Sequence, residues 1–349
     1  MFYYESHASM KIFADQHHLD HQPVHEFYDG ALVPPFESAA RAQNIDVALH
    51  HAGYRTEAPS QTIPDTLLHA IHDADYLHYL ATIYPRWCAA GGDSRAVIPS
   101  TLAVRWMRRP SPFPLAEAGY YAFDLSAPIV AKTWSASVAS ASLAYAAADA
   151  IYAGERRTYA RCRPPGHHAG RDMCGGYCYL NNAALAAQHL TGRGRVAILD
   201  IDIHHGNGTQ QIFYERDDVF FASIHGHPDE CYPYYMGFAD ETGSGAGAGY
   251  NLNIPLPFGT TDHEYLAAVD HALQRIQAVG CQTLVVSAGF DTYDGDPLGG
   301  FALTRACYTV IGQRCARLGG PIVVIQEGGY TVAALGDNVV AFLAGVGTV

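Results

Sequence analysis

No apolar run in the chain reaches the roughly 18–20 residues needed to span a membrane. Its first residues, Met1 to Ser6, have neither the basic start nor the apolar core of a secretory signal. Cysteine is sparse, eight in 349 residues with no Cys-x-x-Cys pair, which excludes a disulfide scaffold and suits reduced thiols in the cytoplasm. Cys174 and Cys178, the nearest pair, have no second Cys or His pair at zinc-finger spacing and read as packing residues. Basic residues are scarce as well. Against 34 Asp and Glu there are 21 Lys and Arg, a formal charge of −13. That excludes nonspecific binding to nucleic acid and leans toward a cationic ligand. Two missing motifs narrow the chemistry further. There is no Gly-x-Ser-x-Gly elbow, which disfavours a serine hydrolase. The glycine-rich run at 243–249 has neither dinucleotide nor P-loop spacing, and a strand-like segment follows it, so it reads as a flexible loop.

What the chain does have is alternation. Residues 10–14 predict a first strand after a short extension at 1–9. Residues 15–37, polar and broken by proline, predict a long surface loop. Helical periodicity covers 38–52 and 66–81, the second starting at Pro64-Asp65. Residues 84–126 read as irregular, with Trp87, Trp106, Met107 and Phe113 set among glycines and prolines. Two readings of that stretch stand: a loosely packed loop insertion, or a partner surface, since aromatics with Met and Arg are typical of interface cores. An Ala/Ser-rich helix is expected from 128 to 153. Strands at 158–162, 195–203, 219–225, 283–288 and 321–326 then alternate with helices at 181–190, 209–214, 262–279, 304–318 and 331–343. This order implies βαβ units and a parallel sheet covered on both faces. With no repeat or composition break, 1–349 reads as a single α/β domain.

Polar residues collect where these strands end. The apolar run at 196–199 leads into Asp200, Asp202, His204 and His205 and breaks at Gly206-Asn207-Gly208. Residues two apart in a strand point the same way, so Asp200, Asp202 and His204 share a face unless the backbone kinks. Burying two carboxylates and an imidazole on one wall is costly without a cation or hydrogen-bond partners. After the strand at 158–162 comes Arg163-Pro164-Pro165-Gly166-His167-His168; after 283–288 come Asp291 and Asp296; after 321–326 comes Glu327-Gly328-Gly329-Tyr330. Ligands of open parallel sheets bind beyond the carboxyl ends of the strands. Paired histidines, Asp with His, Asp, and Tyr beside two glycines at four such ends point to metal-assisted hydrolysis.

Those segments, in that order and spacing, resemble the histone deacetylase superfamily. With Leu32-Val33-Pro34-Pro35-Phe36 and the insertion at 84–126, the chain is most similar to its bacterial acetylpolyamine amidohydrolases. The resemblance runs from Met10 almost to the end. It implies the arginase–deacetylase fold, a central parallel sheet of about eight strands flanked by helices. It also implies Asp202, His204 and Asp291 as ligands of a catalytic Zn²⁺, with Fe²⁺, Co²⁺ or Mn²⁺ as possible substitutes. The related arginase pattern carries a further Asp where Gly206 stands here, which points to one metal rather than two.

In the resemblance, His167 and His168 match tandem histidines flanking the water beside the metal, and Asp200 matches the carboxylate paired with the first. Asn207 stands where some members have an Asp paired with the second. A neutral partner does not favour protonation, so His168 is expected to be neutral at rest and to act as base and then acid, while the more cationic His167 helps electrostatically. Tyr330 would donate a hydrogen bond to the oxyanion. Tyr177 and Tyr232 match aromatics of a substrate tunnel, and Glu26 matches an acidic residue near it that favours a cationic substrate. Asp200, Asp202, His204, Ser223 and Ile224 match a structural K⁺ site. His205 receives no chemical step. The function implied is hydrolysis of N-acetylated polyamines to amine and acetate by a cytoplasmic homodimer joined through 84–126, with no nucleic-acid or membrane partner. A protein lysine deacetylase and a catalytically silent acetyl-amine binding protein are the alternatives.

Overall fold

Runs such as 196–199 and 322–325 are apolar, rich in β-branched residues and too short for an independent helix, and they form strands buried on both faces. In the computed structural model, which describes residues 10–107 and 109–348, ten strands and ten α-helices follow one another, with three short 3-10 turns between them. The extension expected at 1–9 lies outside the described residues. The first part of the chain comprises β1 (Lys11–Phe13), a hairpin of β2 (Glu26–Tyr28) and β3 (Ala31–Val33), α1 (Ala39–His51), β4 (Thr56–Glu57), α2 (Asp65–Ile71), α3 (Ala74–Ala89), α4 (Pro114–Glu117) and α5 (Thr133–Tyr152). The alternating part comprises β5 (Arg157–Ala160), α6 (Asn182–Leu190), β6 (Val196–Asp200), α7 (Asn207–Phe213), β7 (Val219–Gly226), β8 (Asn251–Leu256), α8 (Asp262–Val279), β9 (Thr283–Ala288), α9 (Arg305–Ala316), β10 (Ile322–Gln326) and α10 (Val332–Val346).

Eight strands form one sheet in the order β4-β1-β5-β10-β9-β6-β7-β8, and every neighbouring pair is parallel. After β5 the chain skips outward to β6, runs to the edge at β8, and returns to fill the gap with β9 and β10. The four strands whose ends carry the polar motifs, β5, β10, β9 and β6, therefore lie side by side. Alternate residues feed two cores. Ile198, Val285 and Val323 pack with Leu143, Leu185 and Tyr76 on one face, while Leu199, Val286 and Val324 pack with Val269, Ile311 and Phe342 on the other.

Several boundaries differ from expectation for identifiable reasons. The helix expected at 66–81 is two helices. His72 between them is extended, and its buried ring meets the Gly170 carbonyl at 2.8 Å and accepts the Asn181 N–H at 3.0 Å. Because α3 runs to Ala89, the irregular insertion begins at Ala90 and not at 84. It is tied back to the body by bridges between Val97 and Ile129 and between Ala122 and Cys174. The first bridge also delays α5, which starts at Thr133 rather than just after Pro128. The loop expected at 15–37 contains the β2–β3 hairpin. Asp29 and Gly30 at its tip have φ of 46° and 83°, the left-handed pair of a two-residue type I′ turn. Among the described residues no helix is long and apolar enough to cross a membrane, and all eight cysteines are free.

Candidate active site

The strand β6 ends at Asp200, and the chain then bends, so Asp202 and His204 lie in the turn rather than along a continued strand face. The bend is held by buried carboxylates. Asp200 Oδ1 accepts the Asp202 N–H at 3.1 Å, and Asp202 Oδ1 accepts the His204 N–H at 2.9 Å. Neighbouring strand ends complete the framework: Asp202 Oδ2 accepts the Gly328 N–H, and Asp291 Oδ1 accepts the Ile203 N–H, each at 2.9 Å. This brings one ligand atom each of Asp202, His204 and Asp291 within 4.8 Å of one another.

The donor set fits a metal ion. Asp202 and Asp291 are fully buried, and burial together with the charge of Asp202 pushes the Asp291 carboxyl up to about 7. Two dry carboxylates repel unless a cation lies between them. Asp291 Oδ2, 3.3 Å from His204 Nδ1, is buried and has no hydrogen-bond partner among the described residues. The backbone is cut to fit these oxygens: a Cβ on Gly289 would meet Asp202 Oδ2 at 2.1 Å, and one on Gly328 would meet Asp291 Oδ2 at 2.1 Å.

Beside this triad the loop after β5 delivers two histidines with their rings 4.0 Å apart. Their partners set them against each other. His167 Nδ1 lies 2.9 Å from Asp200 Oδ2. Burial alone would strip its proton, but the carboxylates of Asp202 and Asp200 outweigh burial and push its pKa up to about 10. His168 Nδ1 lies 2.6 Å from Asn207 Oδ1. An amide oxygen only accepts, so Nδ1 carries the hydrogen and Nε2 is left with a free lone pair. Burial, then the positive charge of His167, hold the His168 pKa well below its usual value. The loop itself is held from β10, where Glu327 Oε2 accepts the N–H groups of Gly166 at 2.7 Å and His167 at 3.2 Å.

A cavity of about 500 Å³ opens over these groups. His168, His204 and Tyr330 line it, together with Tyr177, Tyr232, Phe123 and Leu298. Its lining includes Asp29, Asp124 and Glu230 and, among the described residues, no lysine or arginine. The Tyr330 ring packs under the Arg41 guanidinium at 4.8 Å and lies 5.7 Å from the ring of Tyr177. Gly176 has φ +50°, and a Cβ there would meet His168 Cδ2 at 2.3 Å and Tyr232 Oη at 2.9 Å, so only glycine lets the wall approach the histidine this closely.

The expected residues are thus gathered at one place, with two exceptions. Glu26 does not line the cavity. It is buried behind Tyr177 and accepts that hydroxyl at 2.9 Å, because β2 turns its side chain inward. His205 points to the far side, with Nε2 3.0 Å from Gln210 Oε1 and its ring 4.6 Å from that of His225. Ser223 pairs in register with Asp200 across β6 and β7, and its Oγ lies 2.8 Å from His225 Nδ1. Ile224 follows it in the strand, fully buried.

Sequence reasoning missed Asp124, Phe123 and the structural use of Asp296. Asp124 Oδ2 accepts the Tyr232 hydroxyl at 2.6 Å and the Gly176 N–H at 3.0 Å. Its only local signal is the turn it makes with Ser126, whose N–H it accepts at 3.0 Å.

Comparison with known proteins agrees with this geometry. A family model described as the histone deacetylase domain matches residues 35–346. The "Acetylpolyamine amidohydrolase" of Mycoplana ramosa is 45% identical over 338 residues, covering 96% of this chain and 98% of that protein. "Acetylpolyamine amidohydrolase 1" of Pseudomonas aeruginosa is 47% identical over 343 residues, with the same coverage of 96% and 98%. The crystal structure of an acetylpolyamine aminohydrolase from Burkholderia pseudomallei superposes with a TM-score of 0.92 at 39% identity, covering 97% of this chain and 99% of that one. Matched over most of its length in both sequence and fold, the chain belongs to the histone deacetylase family and is a hydrolytic deacetylase.

Proposed function

We propose that the protein hydrolyses the amide of N-acetylated polyamines, of the acetylputrescine, acetylcadaverine and acetylspermidine type, to free amine and acetate. The observation that carries this reading is the cavity. It is lined by a histidine with a free Nε2 lone pair and by three carboxylates, with no lysine or arginine among the described residues. Such walls favour a substrate that brings its own positive charge. The names of the relatives in Mycoplana ramosa and Pseudomonas aeruginosa support the same substrate class.

Asp202, His204 and Asp291 would hold the metal, and a carboxylate–imidazole–carboxylate set suits Zn²⁺, with Fe²⁺, Co²⁺ or Mn²⁺ also accommodated. Bound there, the ion supplies Lewis acidity, polarising the amide carbonyl and acidifying water. The side chains of this chain do the rest. His168 Nε2 takes the proton that the attacking water gives up as its oxygen bonds to the carbonyl carbon. The same nitrogen returns that proton to the leaving amine as the C–N bond breaks. His167, held cationic by Asp200, stabilises the negative charge that develops. Tyr330 donates its hydroxyl hydrogen to the oxyanion, a contribution typically about 3–4 kcal/mol in acyl-transfer sites. Tyr177 and Tyr232 flank the substrate stem, with Glu26 orienting Tyr177 from behind and Asp124 orienting Tyr232 from the wall.

The setting belongs to the same proposal. Asp200, Asp202, His204, Ser223 and Ile224 would bind a structural K⁺, supported by the register of β6 with β7. Trp106, Met107 and Phe113 are exposed on the insertion, which also sends Leu102 and Phe123 to the cavity. We assign this surface to a homodimer, and the eight free thiols support a cytoplasmic setting. The test is turnover of acetylputrescine, acetylcadaverine, acetylspermidine and an acetyl-lysine peptide by metal-loaded enzyme. Turnover of the small amines ahead of the peptide is expected. Turnover of the peptide alone would overturn the substrate assignment, and binding without turnover of any would make the protein a sensor. Sizing a variant shortened within 90–115 addresses the dimer: an unchanged mass would refute the assigned surface.

A further inference from the structure

Tyr330 sits in an awkward place for a group that must meet an oxyanion at hydrogen-bond distance. It follows Gly328 and Gly329, which carry no side chains to lock the loop, and Gly329 has φ +116°. Arg41 and Tyr177 pack against the ring and fix its tilt. What sets the depth to which the hydroxyl reaches is the backbone; Arg41 Nε holds the Gly329 carbonyl at 2.6 Å, and the anchor on the N–H of Tyr330 itself comes from another strand end. Asp296, in the loop after β9, is buried. Its Oδ2 accepts the N–H groups of Tyr330 at 2.7 Å and Thr331 at 2.8 Å, and its Oδ1 accepts the Leu298 N–H at 3.1 Å. The residues that follow it, Pro297, Leu298 and Gly299, line the cavity. One carboxylate therefore ties the Tyr330 backbone to a wall that the substrate touches.

We propose that Asp296 is a positioning residue for Tyr330, holding its backbone in register with the 297–299 wall so that the hydroxyl meets the oxyanion. The inference rests on Tyr330 being the oxyanion donor. Asn is isosteric with Asp but offers one acceptor oxygen to three N–H groups, so at least one of them faces an amide NH₂. Ala offers none.

The experiment is a double-mutant cycle on metal-loaded enzyme with Asp296→Asn, Asp296→Ala and Tyr330→Phe, following kcat, KM, metal content and Tm. Tyr330→Phe alone is expected to lower kcat about 100- to 1,000-fold. Misplacing the donor is expected to cost about 10-fold in Asp296→Asn and roughly 100-fold in Asp296→Ala, with KM and metal content near those of the parent. In the Tyr330→Phe background the same Asp296 changes are expected to cost nothing further, because there is no hydroxyl left to position. A stitch that serves stability alone would instead lower Tm and multiply its loss with that of Tyr330→Phe, which would overturn the inference. Wild-type kcat in Asp296→Asn would overturn it too. Full activity of Tyr330→Phe would overturn the assignment of the oxyanion donor itself. If Asp296→Ala does not fold, the cycle is read from Asp296→Asn.

Discussion

Replacing Asn207 with Asp tests the division of labour between the paired histidines. Asn207 Oδ1 lies 2.6 Å from His168 Nδ1, so the substitution places a carboxylate against the ring without a change of size. Position 207 opens α7, where the N-terminal dipole favours the ionised form. Taking roughly 4 Å between charge centres and an effective dielectric of about 20, the attraction for a protonated His168 is about 4 kcal/mol, or about 3 pH units as an upper bound. The positive His167 beside it opposes protonation, and a rise of about 1–3 units is expected. In the parent, burial and His167 hold His168 well below its usual value, so the acid limb of kcat/KM lies low. In Asn207→Asp that limb moves to higher pH, because the base must lose a more tightly held proton before it can act. The assay is kcat/KM for acetylputrescine across pH, with metal content and Tm as controls. An acid limb that stays in place while both controls are unchanged would refute the assignment of His168 as the base.

Three further outcomes follow from the same geometry. Asp124→Asn removes charge from the cavity wall while keeping a polar side chain, and is expected to raise KM for acetylputrescine about 10- to 100-fold; an equal rise for the uncharged N-pentylacetamide would count against an electrostatic role. Gly176→Ala forces a Cβ into the His168 ring at 2.3 Å in a left-handed backbone, and is expected to cost about 1–3 kcal/mol of stability and most of kcat, read by Tm and turnover; parent-like kcat would contradict the close approach. Glu26 is pushed up to about 7 by burial. Its folded pKa is thus above the unfolded value, the native state holds the proton more tightly, and stability declines as pH rises from about 4 toward 7. After allowance for solvent screening, Glu26→Gln is expected to be about 1–2 kcal/mol more stable than the parent at pH 8 and equal to it near pH 4. A stability difference that does not vary with pH would show that Glu26 is already ionised in the fold.

The site was legible in the sequence because the central strands are apolar throughout, so that Asp200, His167, Asp291 and Tyr330 stand out at their ends. The adjacency of those ends was not. It depends on β9 and β10 returning into the gap left between β5 and β6, a decision of long-range packing that no local pattern encodes. Asp124 was hidden for a similar reason: its partners, Gly176 and Tyr232, lie 52 and 108 residues away, and a lone Asp among prolines has many meanings. Glu26 shows the limit of local pattern. Its stretch reads as a surface loop, and which face of the hairpin turns inward is decided by packing against Tyr177. The Asp29-Gly30 turn signal itself was present and was masked by the prolines on either side.

The same topology explains why so many carboxylates are buried at one end of the sheet. Asp200 and Asp202 accept N–H groups within the bend after β6. Asp202 also reaches the β10 end, Asp291 reaches from β9 to the bend after β6, Glu327 reaches from β10 to the loop after β5, and Asp296 reaches from β9 to Tyr330. Each strand end is thus laced to another by an acid that accepts backbone N–H groups, the arrangement that offsets desolvation of a charge and satisfies the loop backbone at once. A carboxamide at any of these positions keeps the size and loses an acceptor, so the lacing needs acids even where no proton is transferred. The high density of acids in this site therefore has two sources, the chemistry proposed for Asp202, His204 and Asp291 and support of the loops that carry them. Asp202 serves both at once, since Oδ2 holds Gly328 while Oδ1 faces His204.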